Sequence, residues 1–146
     1  MEIDLIEQET TDFDWFGVDE EGLLGHFASA GFKRLPQTVC RSAEDLKLVS
    51  AYFLEQAVVK GSHKLNGHLA GDLSSFVSMA DKGLFSFDID TDVKPGISYF
   101  RVASPDVTLT LRELPDRVQK IVSRTVLKGV WLRSQLLVPY DATLLM

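Results

Sequence analysis

Three side chains of this chain have the chemistry for acid–base or nucleophilic work: Asp14, His26 and Cys40. A cysteine becomes a nucleophile when a nearby base takes its proton, and His26 is the candidate base. Asp14 and His26 flank a segment rich in turn residues, so the carboxylate can reach the ring across a hairpin. No oxyanion loop and no third orienting group is recognisable around Cys40. The plainer expectation is a sheet histidine with its hydrogen bonds satisfied and a buried thiol.

Metal and nucleotide chemistry find less support. His63 and His68 are separated by four residues, with Asp72 four further on, but no cysteine pair joins them and the H-E-x-x-H spacing is missing. Two solvated loop histidines are expected instead. Asp88, Asp90 and Asp92 alternate as the opening of an EF-hand loop does. Val93 then stands where that loop needs glycine and Tyr99 where it needs glutamate. Gly17, Gly22, Gly25 and Gly31 match neither G-x-G-x-x-G nor G-x-x-x-x-G-K-[ST], so they read as turn and bulge glycines. No metal, nucleotide or other cofactor is expected.

The elements that must position these residues can be traced from periodicity. Residues 13–28 read as a β-hairpin whose tip is Asp19-Glu20-Glu21-Gly22, acids that tolerate water followed by a glycine able to take positive φ. Apolar groups fall on both faces of the hairpin, which predicts burial on both sides. Residues 29–41 read as a loop broken by Gly31 and Pro36. Ser42-Ala43-Glu44-Asp45 is a helix start, and Leu46, Val49, Phe53 and Ala57 recur at helical spacing, predicting a helix over 43–60. Residues 61–71 read as a loop. Asp72 can cap a shorter helix carrying Leu73, Phe76, Val77 and Ala80, which Gly83 ends.

Over 84–112 the period changes to two, predicting a three-stranded antiparallel meander with Phe85, Phe87, Val107, Leu109 and Leu111 buried. Pro115 opens a short helix, and one or two strands follow around Gly129. The sum is a single α+β domain over 1–146: an antiparallel sheet of hairpin, meander and terminal strands, with two to three helices packed on it.

Composition narrows the class. At 146 residues, 45% hydrophobic and 25% charged, the chain can bury one core. Its start has neither the basic stretch nor the apolar run of a secretory signal, and no apolar run approaches the roughly 20 residues of a membrane helix. Cys40 is the single cysteine, which excludes an intramolecular disulfide. A cytoplasmic protein with no membrane association is expected.

The net charge of −6 is unevenly spread. Residues 1–32 hold nine acids and no Lys or Arg, and the remainder carries 12 acids and 15 bases. Six of those bases fall within 112–133. Either the acidic segment faces a basic partner, or it lies against the basic segment and the charges offset. Nucleic acid is not an expected partner, because the chain is acidic and its basic segment is interrupted by core residues.

The stretch "DWFGVDEEGLLGHFASAGFKRLP" resembles the opening of a group of small bacterial proteins, some of which are similar to immunity proteins encoded beside polymorphic toxins. The matching positions are Asp14, Trp15, Phe16, Asp19, Gly22, Gly25, His26, Phe27, Leu35 and Pro36, with "ISYFRVASP" matching more loosely. The resemblance implies a cytoplasmic, non-enzymatic, partner-binding protein and assigns no catalytic residue. Two functions therefore stand. One is a binder, of immunity type, that meets a basic protein surface through Asp12, Asp14, Trp15, Asp19, Glu20 and Glu21. The other is a small enzyme built around His26, Asp14 and Cys40.

Overall fold

The computed structural model of the chain describes residues 1–29, 35–67, 71–89 and 98–139. Among these residues are five α-helices and one seven-stranded sheet in an α+β arrangement. In chain order they are α1 (Leu5–Thr10), β1 (Asp14–Asp19), β2 (Leu24–Ala28), α2 (Gln37–Cys40), α3 (Ala43–Ala51), β3 (His63–Leu65) and α4 (Ser74–Asp81). Then come β4 (Phe85–Ile89), β5 (Ser98–Pro105), α5 (Asp116–Val122), β6 (Val126–Leu127) and β7 (Leu137–Pro139).

The sheet runs β3-β5-β4-β2-β1-β6, with β7 also paired to β5. It is mixed, which corrects the expected antiparallel sheet. β2 runs parallel to β4, and β1 runs parallel to β6. The long connection from β2 to β4 carries α3 and α4, and a connection of that length lets a strand re-enter in the same direction. A period of two in the sequence reports a strand but not its sense.

The hairpin forms as expected, with Trp15 opposite Phe27 and Phe16 opposite His26. Its tip turns on Gly22, whose φ of 84° favours glycine. The meander forms only two of its three strands. Where the third strand was expected, the chain makes an isolated bridge, Leu23 to Thr110, and then a 3₁₀ turn over Leu111–Glu113. Thr110 and Glu113 cap that turn reciprocally, so the strand pattern loses to a local hydrogen-bonded alternative. Phe85, Phe87 and Leu109 are buried, Leu111 is half-buried, and Val107 is 44% exposed.

The helix expected over 43–60 starts where Ser42 accepts from the Asp45 N–H. It stops short: after Ala51 it widens into a π-helical turn over Tyr52–Gln56. The buried Lys82 ammonium donates to the Phe53 and Leu54 carbonyls, and that alternative partner ends the helix before residue 57. α4 begins beside Asp72, whose carboxylate accepts from the Ser74 N–H, and ends at Gly83 with φ of 104°. Helices α1 and α2 and the short strand β3 lie where loops or no element were expected.

The sheet buries both faces, each with its own core. On one face Trp15, Phe27, Phe85, Phe87 and Tyr99 pack under Leu127, Val130, Leu132 and Val138 of the C-terminal segment. Trp15 stacks on Phe27 with ring centroids 4.2 Å apart, and its indole N–H donates to the Tyr99 hydroxyl. On the other face Phe16, Val18 and Leu24 pack against Val49 and Phe53, and against Val118 and Val122 of α5. Phe76 and Ala80 of α4 form a smaller cluster with Val102 and Ala103.

Candidate functional site

Strand pairing places Phe16, His26 and Ser86 in one row across β1, β2 and β4. Residues opposite one another point to the same face, so the three side chains meet on the face that α3 and α4 cover. His26 is fully buried, with Phe16 and Phe76 against its ring. Its Nε2 lies 3.1 Å from Asp14 Oδ2 and its Nδ1 lies 2.7 Å from Ser86 Oγ. Asp14 therefore does reach His26 across the hairpin. A carboxylate only accepts, so the Nε2–H donates to Asp14, while Nδ1 and the Ser86 hydroxyl share the second hydrogen bond.

Serine, histidine and aspartate in line invite comparison with a hydrolase triad. Ser86 is fully buried, so a substrate carbonyl has no approach to its oxygen. What the row does is tie three neighbouring strands together through one satisfied ring. Asp88 stands in the next row, opposite Ala28, which itself faces Asp14. Burial pushes the Asp88 carboxyl above its ordinary range, with the charges of Asp12 and Asp14 adding to the rise. Asp90 and Asp92 lie outside the described residues.

Cys40 is not part of this arrangement. It packs beside the cluster of Trp15 and Phe27, on the sheet face opposite His26. Adjacent residues of a strand point to opposite faces, so Phe27 and His26 hold the thiol and the ring apart by the thickness of the sheet. Half-burial pushes the thiol up to about 11, with Glu2 contributing. A thiol so placed is a poor nucleophile near neutral pH.

The residues weighed as metal ligands have other partners where they are described. His63 Nδ1 lies 2.8 Å from Asp81, Asp72 is engaged with Ser74, and His68 lies outside the described residues. Among the described residues no three His, Cys, Asp or Glu side chains gather as a metal-binding group, and no helix is long and apolar enough to cross a membrane.

The six residues expected at a partner surface divide. Asp12, Glu20 and Glu21 are exposed and Asp14 is half-exposed. Trp15 is fully buried, and Asp19 is 3% exposed, so both leave the surface set. The Asp19 carboxylate accepts from the Glu21, Leu23 and Leu132 N–H groups, fixing the hairpin tip to the C-terminal segment. The remaining acids fall at opposite ends of β1: Asp12 and Asp14 beside α1, Glu20 and Glu21 at the tip.

Among the described residues, no acid of 2–21 is paired with a Lys or Arg; Asp14 alone has an ion-pair partner, His26. Two of the six cations of the basic segment pair elsewhere. Arg117 and Arg124 of α5 both reach Asp45 of α3, and their charges hold its carboxyl below the usual range. The acidic segment does lie against the basic one, since β1 pairs with β6, but among the described residues no ion pair joins the two.

One surface feature was not anticipated. Asp4 and Glu7 form a reciprocal capping box that starts α1. The D-x-x-E spacing carries that signal in the sequence. Within α1 the buried residue is the polar Gln8, while Leu5 is 51% and Ile6 75% exposed. Gln8 is held at both ends, donating to the Ile3 carbonyl and accepting from the Leu35 N–H. Beside Leu5 a groove of about 440 Å³ is lined by Glu2, Gln8, Leu35, Gln37, Cys40 and Arg41. Comparison of the chain with protein-family models, with curated proteins and with solved structures returns no match.

Proposed function

We propose that this chain is a non-enzymatic binding protein whose partner is a protein with a basic surface. The observation that carries this reading is a set of acids without ion pairs: Glu2, Asp4, Glu7, Glu9, Asp12, Glu20 and Glu21 make no ion pair with a cationic side chain among the described residues. Keeping like charges together costs self-repulsion, and a basic partner relieves it while steering encounter. An immunity-type inhibitor, which silences a basic toxin by covering it, is the kind of binder this describes. A substrate-transforming role at His26 is disfavoured by the buried serine and by the sheet between His26 and Cys40.

The test is affinity isolation of the partner with the purified chain, followed by Kd measurements over a range of salt. The affinity should fall with salt, and charge reversal at Glu9 with Asp12, or at Glu20 with Glu21, should weaken binding and flatten that salt dependence. A partner whose affinity ignores salt and both reversals would remove the electrostatic reading.

A further inference from the structure

We infer that the groove between α1 and α2 is a binding site for a free α-amino acid with an apolar side chain. This goes beyond the partner-binding reading and does not depend on it. Residues 1–3 run beside residues 40–43: the Ile3 N–H donates to the Cys40 carbonyl at 2.9 Å, and the Ala43 N–H to the Met1 carbonyl at 2.8 Å. Glu2 lies between those two bonds on one stretch and Arg41 on the other, so the two residues are neighbours, and both line the groove. Neither makes an ion pair among the described residues, and the N-terminal ammonium is held by Glu44 at 2.6 Å.

An anion and a cation that stand together unpaired are complementary to a ligand that carries both charges close together. An α-amino acid does so, with its ammonium and carboxylate on one carbon. Its ammonium faces Glu2, and its carboxylate faces the Arg41 guanidinium, whose planar fork matches two carboxylate oxygens. A direct Glu2–Arg41 pair competes only weakly, because exposed ion pairs contribute little. The rest of the wall selects the side chain. Leu5, Leu35 and the half-buried Cys40 thiol line the groove, and Leu5 is 51% exposed, so an aliphatic or aromatic ligand removes apolar surface from water. The exposed Gln37 amide is placed to meet the remaining donors and acceptors of the head group. Gln8 donates to the Ile3 carbonyl and accepts from the Leu35 N–H, which ties the two walls together before any ligand arrives. The volume of about 440 Å³ falls within the range of roughly 300–1,000 Å³ that small-molecule sites occupy.

The test is titration of the full chain with L-leucine, read by backbone amide NMR. Three control compounds each lack one feature: N-acetyl-leucine the ammonium, leucinamide the carboxylate, glycine the side chain. Leucine should shift the amides of Glu2, Leu5, Gln37, Cys40 and Arg41 with a Kd of roughly 1 mM, and each control should bind more weakly by roughly fivefold, the worth of one exposed contact. Arg41→Gln should weaken leucine by the same factor and remove the discrimination against leucinamide. Glu2→Gln should instead remove the discrimination against N-acetyl-leucine. Both side chains are exposed, so both variants should keep the Tm of the unaltered chain. No shift in the groove at tens of millimolar leucine, equal shifts from all four compounds, or discrimination that survives both substitutions would overturn the site. None of these results touches the partner-binding reading, which stands or falls on the salt dependence of the isolated partner's Kd.

Discussion

His26 and Gln8 are both buried polar side chains, and both are hydrogen-bonded at each end. They sit in opposite settings. Around His26 the sheet and helices close completely, with Phe16 and Phe76 on the ring and Ser86 beneath it. Around Gln8 the polar group is inside while its apolar neighbours, Leu5 and Ile6, face water. A satisfied polar group in a closed setting specifies how strands register. The same group in an open helix specifies which side chains are left outside. The first holds the fold together, and the second leaves a surface unfinished.

Substitutions can separate the two roles. His26→Ala should be the most damaging, at about 2–4 kcal/mol, because it opens a cavity between two aromatic rings and strands the buried Ser86 hydroxyl. Urea unfolding would measure it. Gln8→Ala should cost less, about 1–3 kcal/mol, by leaving the Leu35 N–H without its acceptor, and it should speed hydrogen exchange through α1. Leu5→Ser with Ile6→Ser should change stability by no more than about 0.5 kcal/mol, since neither side chain supports the core. A large loss of stability in that double variant would show that α1 is part of the core and dissolve the contrast with His26.

The smallest effect concerns pH. The Asp88 carboxyl titrates above its ordinary range, so the folded state holds its proton more tightly than the unfolded chain does. That contribution is fully present below the unfolded pKa and is lost as pH rises through the folded value. Asp88→Asn should therefore raise Tm slightly at neutral pH and leave it unchanged in acid. Thermal melts across that range check the sign.

The hairpin was legible because its signals are local: alternating residues, an acidic tip and Gly22 at positive φ. The reach of Asp14 to His26 followed from the same hairpin geometry. The sense of β4 was not legible, because parallel and antiparallel strands share one period and only the path through α3 and α4 decides between them. The third meander strand was lost to the Thr110–Glu113 cap, a local competitor that the alternation at Val107, Leu109 and Leu111 conceals. The π-turn at Tyr52–Gln56 depends on Lys82, far along the chain, and leaves no mark in its own residues. Trp15 and Asp19 carry the residue types of an interface and the burial of a core, a difference only tertiary packing settles. Asp4 and Glu7 did carry a helix start, within a stretch otherwise notable only for its charge.

The most direct test of the account is hydrogen–deuterium exchange of the full chain with and without its isolated partner. Binding through the unpaired acids predicts protection concentrated in residues 1–12 and at the hairpin tip 19–22, with the strands around His26 unchanged. Protection confined to the basic face of α5 would contradict it.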